Sequence, residues 1–581
     1  MERTETQTKI ERCALRLVAA WLAAISVSAA AAGGEQTGGS LVAVAVLTLV
    51  FFALFTTAAW RIKSERLDAF LFAAAAIVTS FIHVAKIRDI YFCFAVILCL
   101  VIAGWILFAR GRLPAAEPRL GARAATIWVA ALAVALFLFI AVLTSLRYLQ
   151  YYSPNFDFGI FSNMFHHMRE DLSQTVSCER DAVISHFNVH ISPIYYLFLP
   201  FYALIPSPVT LLVLQAAVVA GGVVPLCLLA KRRGLKPLFI ALLATAYLAY
   251  PAFTGGCFYD LHENKFLPVL ILSTVCCYES KRFPLMYLFA ALTLFVKEDA
   301  PVYMAVFGLY LLLGRREYKH GTALFLLSVA YFLFALTMLE QFGLGAMTWR
   351  YDNISDSGLI GIFKTLFTDP MRVLAQCLTA EKLVFVLQML LPLLFLPLLT
   401  TRPTRFILLI PFVLVNLMTN YQYQYSVHYQ YTYGSGALLF YAAVLNLSDI
   451  SERTGYRMLC GAALASTLLF TSVNLSRTSL IGSYAASRDT RAAIADALAS
   501  IPDDASVAAD TFFVAHIARR DLIFEYPSKN ETEYIVLDLR FIAPEKARQT
   551  IRTVEDGGYT LVTKTDGAVA VLKLAEGEEV R

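Results

Sequence analysis

Residues 193–206 read Pro-Ile-Tyr-Tyr-Leu-Phe-Leu-Pro-Phe-Tyr-Ala-Leu-Ile-Pro, and whether this segment crosses a membrane decides the topology of the whole chain. It is apolar, but it is shorter than the roughly 20 residues a helix needs to cross a hydrocarbon core. Pro193 and Pro206 bracket it, and its tyrosines suit a headgroup region better than a bilayer centre. A full span here would put Lys231, Arg232 and Arg233 outside, against the rule that cytoplasmic loops carry the excess Lys and Arg. Read as an interfacial helix, 193–206 leaves 208–230 as an inward span and puts that basic cluster in the cytoplasm.

The remaining loops then fall into step. Upstream, spans are expected at about 41–60, 69–85, 91–109 and 126–147, with basic connections at 61–66 and 110–123. Downstream, Lys281/Arg282, Arg315/Arg316/Lys319, Arg402/Arg405 and Arg453/Arg457 come out cytoplasmic, and 253–265, 297–299, 340–382 and 420–434 come out external. A first apolar stretch ending in Ala-Ala-Ala-Ala-Gly-Gly at 29–34 reads as a signal peptide or a first anchor.

Composition agrees. Of 581 residues, 58% are hydrophobic and 16% charged, more apolar surface than a soluble domain of this size can hide. The apolar runs lack period-2 alternation, which argues against an outer-membrane barrel. A net charge of +5, spread over loops, gives no nucleic-acid signal. The expected fold is therefore a polytopic α-helical membrane protein of about fourteen to fifteen transmembrane helices, in the cytoplasmic membrane.

After a last span at about 457–474 the composition becomes that of a soluble domain. Short β-branched runs at 506–509, 522–526, 534–539, 559–563 and 568–572, with a helical stretch at 512–520, predict a small α/β domain. Asp566-Gly567 marks a hairpin between the last two runs. Three regions follow: N-terminal helices over 1–125, a transmembrane core over 126–474, and an extracytoplasmic α/β domain over 475–581. Most of the ten cysteines lie in apolar runs, but Cys178 and Cys257 fall in polar connections where a disulfide can form.

Ionisable residues at the outer ends of membrane helices are costly and usually functional. The candidates are Asp157; His186 and His190; Asp260, His262, Glu263 and Lys265; Lys297, Glu298 and Asp299; and His428 and Tyr429 within the aromatic stretch 421–433. Simpler roles exist for several. Asp157 can cap a helix starting near Gly159, His186 can be an interfacial residue bonded to neighbouring loops, and the tyrosines can form an interfacial belt. Lys297-Glu298-Asp299 interrupts apolar sequence on both sides, which favours function. Together these groups could act as a general base on an acceptor hydroxyl, hold a divalent cation such as Mg or Mn through Asp260, Glu263, Glu298 or Asp299, and bind phosphate through His190, His262, Lys265, Lys297, His428 or Tyr429. The helix at 193–206 would shape a groove for a lipid tail.

The order Asp157-Phe-Gly-Ile-Phe, His190-Ile-Ser-Pro-Ile-Tyr-Tyr-Leu, Leu261-His262, Val296-Lys-Glu-Asp-Ala and His428-Tyr429 resembles the membrane-protein family called domain of unknown function 2079. That family is similar to the GT-C glycosyltransferases, which use polyprenyl-phosphate-linked sugars and carry an essential acid in the first large external loop. The resemblance implies that Asp157 is the catalytic or metal-assisting acidic residue, and the leading reading is transfer of a sugar from a polyprenyl-phosphate donor to a glycan, lipid or protein acceptor outside the cytoplasm. The chain departs from it in two ways: some 120 residues precede the motif region, and Asp157 stands alone between Phe156 and Phe158 rather than in an acidic pair. The alternatives are a transporter or flippase of a lipid-linked or anionic substrate, which would place charges near the bilayer midplane, and a non-catalytic scaffold whose outer domain binds a partner.

Overall fold

The protein is described from a computed structural model covering residues 5–64, 66–112 and 119–575; the middle of the basic connection 110–123 lies outside the described residues. It is a polytopic helical membrane protein with a small C-terminal α/β region. Among the described residues, eight helices are long and apolar enough to cross a membrane: Lys9–Ala31, Leu41–Ile62, Leu67–Ile87, Ile90–Ala109, Ala122–Leu149, Pro208–Arg232, Tyr318–Phe342 and Glu452–Ala486. Two bent pairs, Pro237–Leu248 with Pro251–Tyr259 and Pro370–Cys377 with Ala380–Leu393, raise the number to ten if each is one span. Phe283–Leu294, Pro301–Arg315 and Gly358–Thr368 are shorter apolar helices. Several runs that read as single spans are thus broken or shortened, and proline accounts for many of the breaks. Pro208, Pro237, Pro251, Pro301 and Pro370 each open a helix, where the missing N–H is not needed and the fixed φ suits the first turn.

Residues 193–206 do not form a span. They make a tight turn, Pro193–Leu197, and a helix of 6 residues, Leu199–Leu204. At about 1.5 Å per residue that helix reaches roughly 9 Å, against a hydrocarbon core of about 30 Å. Ile194, Tyr195, Phe198 and Tyr202 pack inward, while Leu197, Phe201, Leu204 and Ile205 stay exposed, the two-sided pattern of an interfacial element.

The bundle is centred on Tyr433–Leu447, a helix buried at every position. At one end, basic loop residues gather on two acidic ones: Arg233 and Arg315 pair with Glu279, and Arg402 and Arg405 with Asp449. The candidate residues gather elsewhere, beneath the α/β region. Cys178 and Cys257 are both free and buried, so the disulfide allowed by their positions is not made; the Cys257 thiol instead lies 3.3 Å from the Tyr433 hydroxyl.

The loop after Ala122–Leu149 carries a hairpin, β1 (Thr175–Glu179) and β2 (Ala182–Ser185). The C-terminal region holds β3 (Val507–Ala509), β4 (Ile523–Glu525), β5 (Tyr534–Asp538), β6 (Tyr559–Thr565) and β7 (Val569–Leu574) in the order β4-β3-β5-β7-β6. β3 runs parallel to β4 and β5, and β7 pairs antiparallel with β5 and β6. One face packs Val507, Val536 and Val571 into the main core, and the other packs Ile535, Leu537 and Leu572 against Ala547, Ile551 and Val554 of the helix Pro544–Asp556. The carboxyl ends of β3, β4 and β5, where open parallel sheets place their ligands, carry Asp510, Glu525 and Asp538. Contacts from that edge run to the membrane region: Glu525 accepts from Asn155 Nδ2 at 2.8 Å, Thr511 Oγ1 accepts from the Asn155 N–H, and Arg540 donates to the Gln150 and Tyr151 carbonyls.

Candidate active site

The loop that leaves Ala122–Leu149 turns sharply at Asn155–Gly159 before the helix Ile160–Asp171. Asp157 sits at the turn with φ 77° and ψ −67°, a γ-turn conformation that costs an L-residue about 1–3 kcal/mol and is held only by its surroundings. Its side chain does not cap the following helix, which has no side-chain cap. Gly159 is required close by: a Cβ there would lie 2.4 Å from Asn155 Oδ1 and 3.0 Å from Val514 of the C-terminal region.

Asp157 opens onto a cleft of ≈ 810 Å³, its open mouth included, and His190, His262, Lys297 and Tyr429 line the same cleft. Asp157 Oδ2 lies 3.0 Å from His262 Nε2, and the other ring nitrogen of His262 lies 3.3 Å from Glu263. Burial alone would lower the His262 pKa, but the Asp157 and Glu263 carboxylates outweigh it and hold the imidazole above its ordinary value. Glu263 also faces Lys297 at 2.9 Å and accepts from the Tyr195 hydroxyl at 2.7 Å. Burial opposes its ionisation, yet Lys297 and His262 keep its carboxyl well below the usual range, and Lys297 is held protonated by Glu263 and Glu298 against its own burial.

The three consecutive charges at 297–299 therefore point to different tasks. Lys297 faces the cleft, whereas Glu298 lies 2.8 Å from His190 Nδ1 and accepts from the Ile191 N–H. Burial and Lys297 together lower the His190 pKa. Asp299 lines a second cavity, and burial pushes its pKa up to about 6.

Six candidates do not line the cleft: Glu263, Glu298 and Asp299, described above, and three more. Asp260 pairs with Arg147 at 2.6 Å and accepts from Ser153; Lys265 is buried and holds the Asp260 carbonyl; His428 is exposed and does not line the cleft. Among the described residues, no three His, Cys, Asp or Glu side chains are arranged to hold a metal ion. The carboxylates nominated for one are largely occupied: Asp260 by Arg147, Glu263 by Lys297 and Glu298 by His190.

Glu179, Tyr259 and Glu525 had no distinguishing signal in the sequence, unlike the aromatic stretch 421–433. Glu179 holds Nδ1 of buried His186 at 2.8 Å, leaving His186 Nε2 without a partner at the cleft wall. Tyr259, Tyr421, Tyr423 and Tyr429 form an aromatic wall, with ring centroids 4.6 Å apart for Tyr259–Tyr429 and 4.5 Å for Tyr423–Tyr429. Glu525 brings the C-terminal region into the same cleft.

Arg350 was missed as well. Its guanidinium carbon lies 4.5 Å from the Tyr421 ring centroid and 5.4 Å from that of Tyr431, and it has no carboxylate partner among the described residues. It also lines the second cavity, of ≈ 1170 Å³ with its open mouth included, whose walls are otherwise mainly apolar. Phe332 and Leu336 come from the long helix Tyr318–Phe342, Leu359, Ile362 and Leu366 from Gly358–Thr368, and Leu414 from the turn at 412–417. Lys297, Met347 and Arg350 are common to both spaces. Residues 193–206 do not line this cavity, so the expected tail groove is not formed there.

The profile of the family described as Predicted membrane protein (DUF2079) matches residues 147–570. No curated protein matches the chain. Among solved structures, the crystal structure of ArnT from Cupriavidus metallidurans bound to undecaprenyl phosphate is similar at 13% identity and a TM-score of 0.48, over 76% of this chain and 98% of that one.

Proposed function

The chain belongs to the DUF2079 family of predicted membrane proteins, and from that premise we propose that it is a GT-C-type glycosyltransferase moving a sugar from a polyprenyl-phosphate donor to an extracytoplasmic glycan, lipid or protein acceptor. One observation carries the reading: a charged, aromatic-walled cleft and a tail-sized apolar cavity meet at Lys297, Met347 and Arg350. A lipid-linked sugar has that division, with an apolar chain, a phosphate and a polyhydroxylated ring in sequence.

In this reading the polyprenyl chain lies along Leu336, Ile362 and Leu366. The phosphate faces Arg350, whose planar fork suits its oxygens and whose charge is not already taken by a carboxylate. The sugar lies against the tyrosine wall. Asp157 accepts the proton of the acceptor hydroxyl as its oxygen bonds to the anomeric carbon. The bond from that carbon to the phosphate oxygen breaks, and the polyprenyl phosphate leaves with the electron pair, its charge stabilised by Arg350 and Lys297. His262, fixed from behind by Glu263, keeps the Asp157 carboxylate in place. No step is assigned to a metal ion. The same reading places the protein in the cytoplasmic membrane with the cleft and the α/β region outside.

Transfer from a polyprenyl-phosphate sugar by reconstituted protein tests the assignment. Asp157→Asn keeps the side-chain shape and removes the base, so turnover should fall by about 10²–10⁴-fold while donor binding persists. Turnover at the wild-type rate would remove Asp157 from the mechanism.

A further inference from the structure

An open pocket of ≈ 660 Å³, its mouth included, lies apart from the cleft and is lined by Arg88, Arg147, Tyr152, Ser476, Arg477, Ser479 and Leu480. Its three arginines come from three separate membrane helices. Arg88 follows Leu67–Ile87, Arg147 is in the last turn of Ala122–Leu149, and Arg477 follows Glu452–Asn474. Arg88 precedes the stretch matched by the family, so this cavity joins the N-terminal helices to the family core.

Three guanidiniums around one cavity repel one another unless counter-charges are present, and the described residues supply few. Arg147 has Asp260 at 2.6 Å. Among the described residues Arg88 pairs with Glu35 alone, at 4.0 Å, and that pair is largely exposed and worth little. Arg477 has no carboxylate partner among the described residues and rests over the Phe258 ring at 5.1 Å. Arg147 also ties the cavity to the cleft, because its partner Asp260 begins the loop that carries His262 and Glu263. The surroundings are those of a membrane surface: Leu149, Tyr152, Leu475 and Ile481 expose apolar surface beside the basic groups.

We propose that Arg88, Arg147 and Arg477 form a phosphate-binding site distinct from the cleft, and that the phosphate belongs to an anionic phospholipid headgroup seated between the N-terminal helices and the core. Guanidinium forks match phosphate oxygens in pairs, and basic pockets between membrane helices bind anionic lipid headgroups. The bound phosphate supplies the missing counter-charge and joins the N-terminal helices to the core through a lipid.

The test uses full-length protein in nanodiscs of phosphatidylcholine, alone or mixed with phosphatidylglycerol, compared with Arg88→Gln and Arg477→Gln. Native mass spectrometry after release counts retained phosphatidylglycerol, and thermal unfolding is followed with phosphatidylglycerol and, separately, with inorganic phosphate. Wild type should retain phosphatidylglycerol and unfold at higher temperature in its presence. Each substitution should weaken retention roughly tenfold, the loss expected from one charge-assisted contact. Arg88 is half exposed, so Arg88→Gln remains informative if Arg477→Gln folds poorly. A rise in unfolding temperature with inorganic phosphate alone upholds phosphate recognition and assigns the site to a soluble ligand. Equal retention and equal unfolding behaviour in wild type and both variants overturns the site.

Discussion

Glu263 is the residue on which the site's electrostatics turn, because its buried carboxylate serves Lys297, His262 and Tyr195 at once. Removing it strands a buried cation, and breaking such a pair costs about 3–5 kcal/mol. The pH dependence follows from the direction of each shift. Glu263 is held below its ordinary value of 4.5, so its contribution is present above that value and is lost as the pH falls through its folded pKa. His262 is held above its ordinary value of 6.5, so its contribution is complete below that value and is lost as the pH rises through its folded pKa. Both are complete only between those ordinary values. Thermal unfolding of wild type should therefore peak in mildly acidic buffer, and Glu263→Gln should lower the unfolding temperature and flatten the acid side. An acid side identical in the two proteins would show that Glu263 is not the buried anion described here. Asp157, His262 and Lys297 were legible in the sequence because charge at the end of an apolar run is rare. Arg350 was not, since one arginine within the 340–382 loop carries no pattern, and its meaning comes from Tyr421 and Tyr431 more than 70 positions away.

At the scale of elements, the segment 193–206 was legible from length and bracketing prolines, and the strands of the C-terminal region from their β-branched runs and Asp566-Gly567. The apolar cavity was not. Leu336, Ile362 and Leu366 look like any lipid-facing residues along the sequence, and only the placement of Gly358–Thr368 and Tyr318–Phe342 around one cavity separates those lining it from those facing lipid. Ile360 and Phe367, on the same short helix, are 84% and 83% exposed, whereas Ile362 and Leu366 turn into the cavity. Filling that space gives a prediction specific to it. Leu366→Trp should raise KM for a long-chain polyprenyl donor and leave kcat nearly unchanged, with a smaller effect on a donor bearing a short prenyl chain. Equal effects on both donors would place the chain elsewhere.

For the molecule as a whole, the proposed orientation sets Glu279 and Asp449, with their arginines, against the cytoplasmic face, and the cleft with its α/β roof on the other. The roof is part of the site, since Glu525 lines the cleft and Val514 packs on the turn that carries Asp157. The orientation is an expectation from the charge pattern of the loops; the coupling of roof to cleft was not legible, because it depends on contacts between positions some 350 residues apart. A cysteine placed at exposed Asp566 in the β6–β7 turn should react with a membrane-impermeant maleimide in intact cells. Reaction only after lysis would invert the topology. The most direct measurement of the central claim is photo-crosslinking with a polyprenyl-phosphate analogue carrying a diazirine in its chain, mapped by peptide mass spectrometry. The crosslinks should fall on Phe332, Leu336, Ile362 or Leu366, be displaced by polyprenyl phosphate, and weaken strongly in Arg350→Gln. Crosslinks scattered over the lipid-facing helices and indifferent to Arg350 would contradict a donor site built from the cleft and the cavity together.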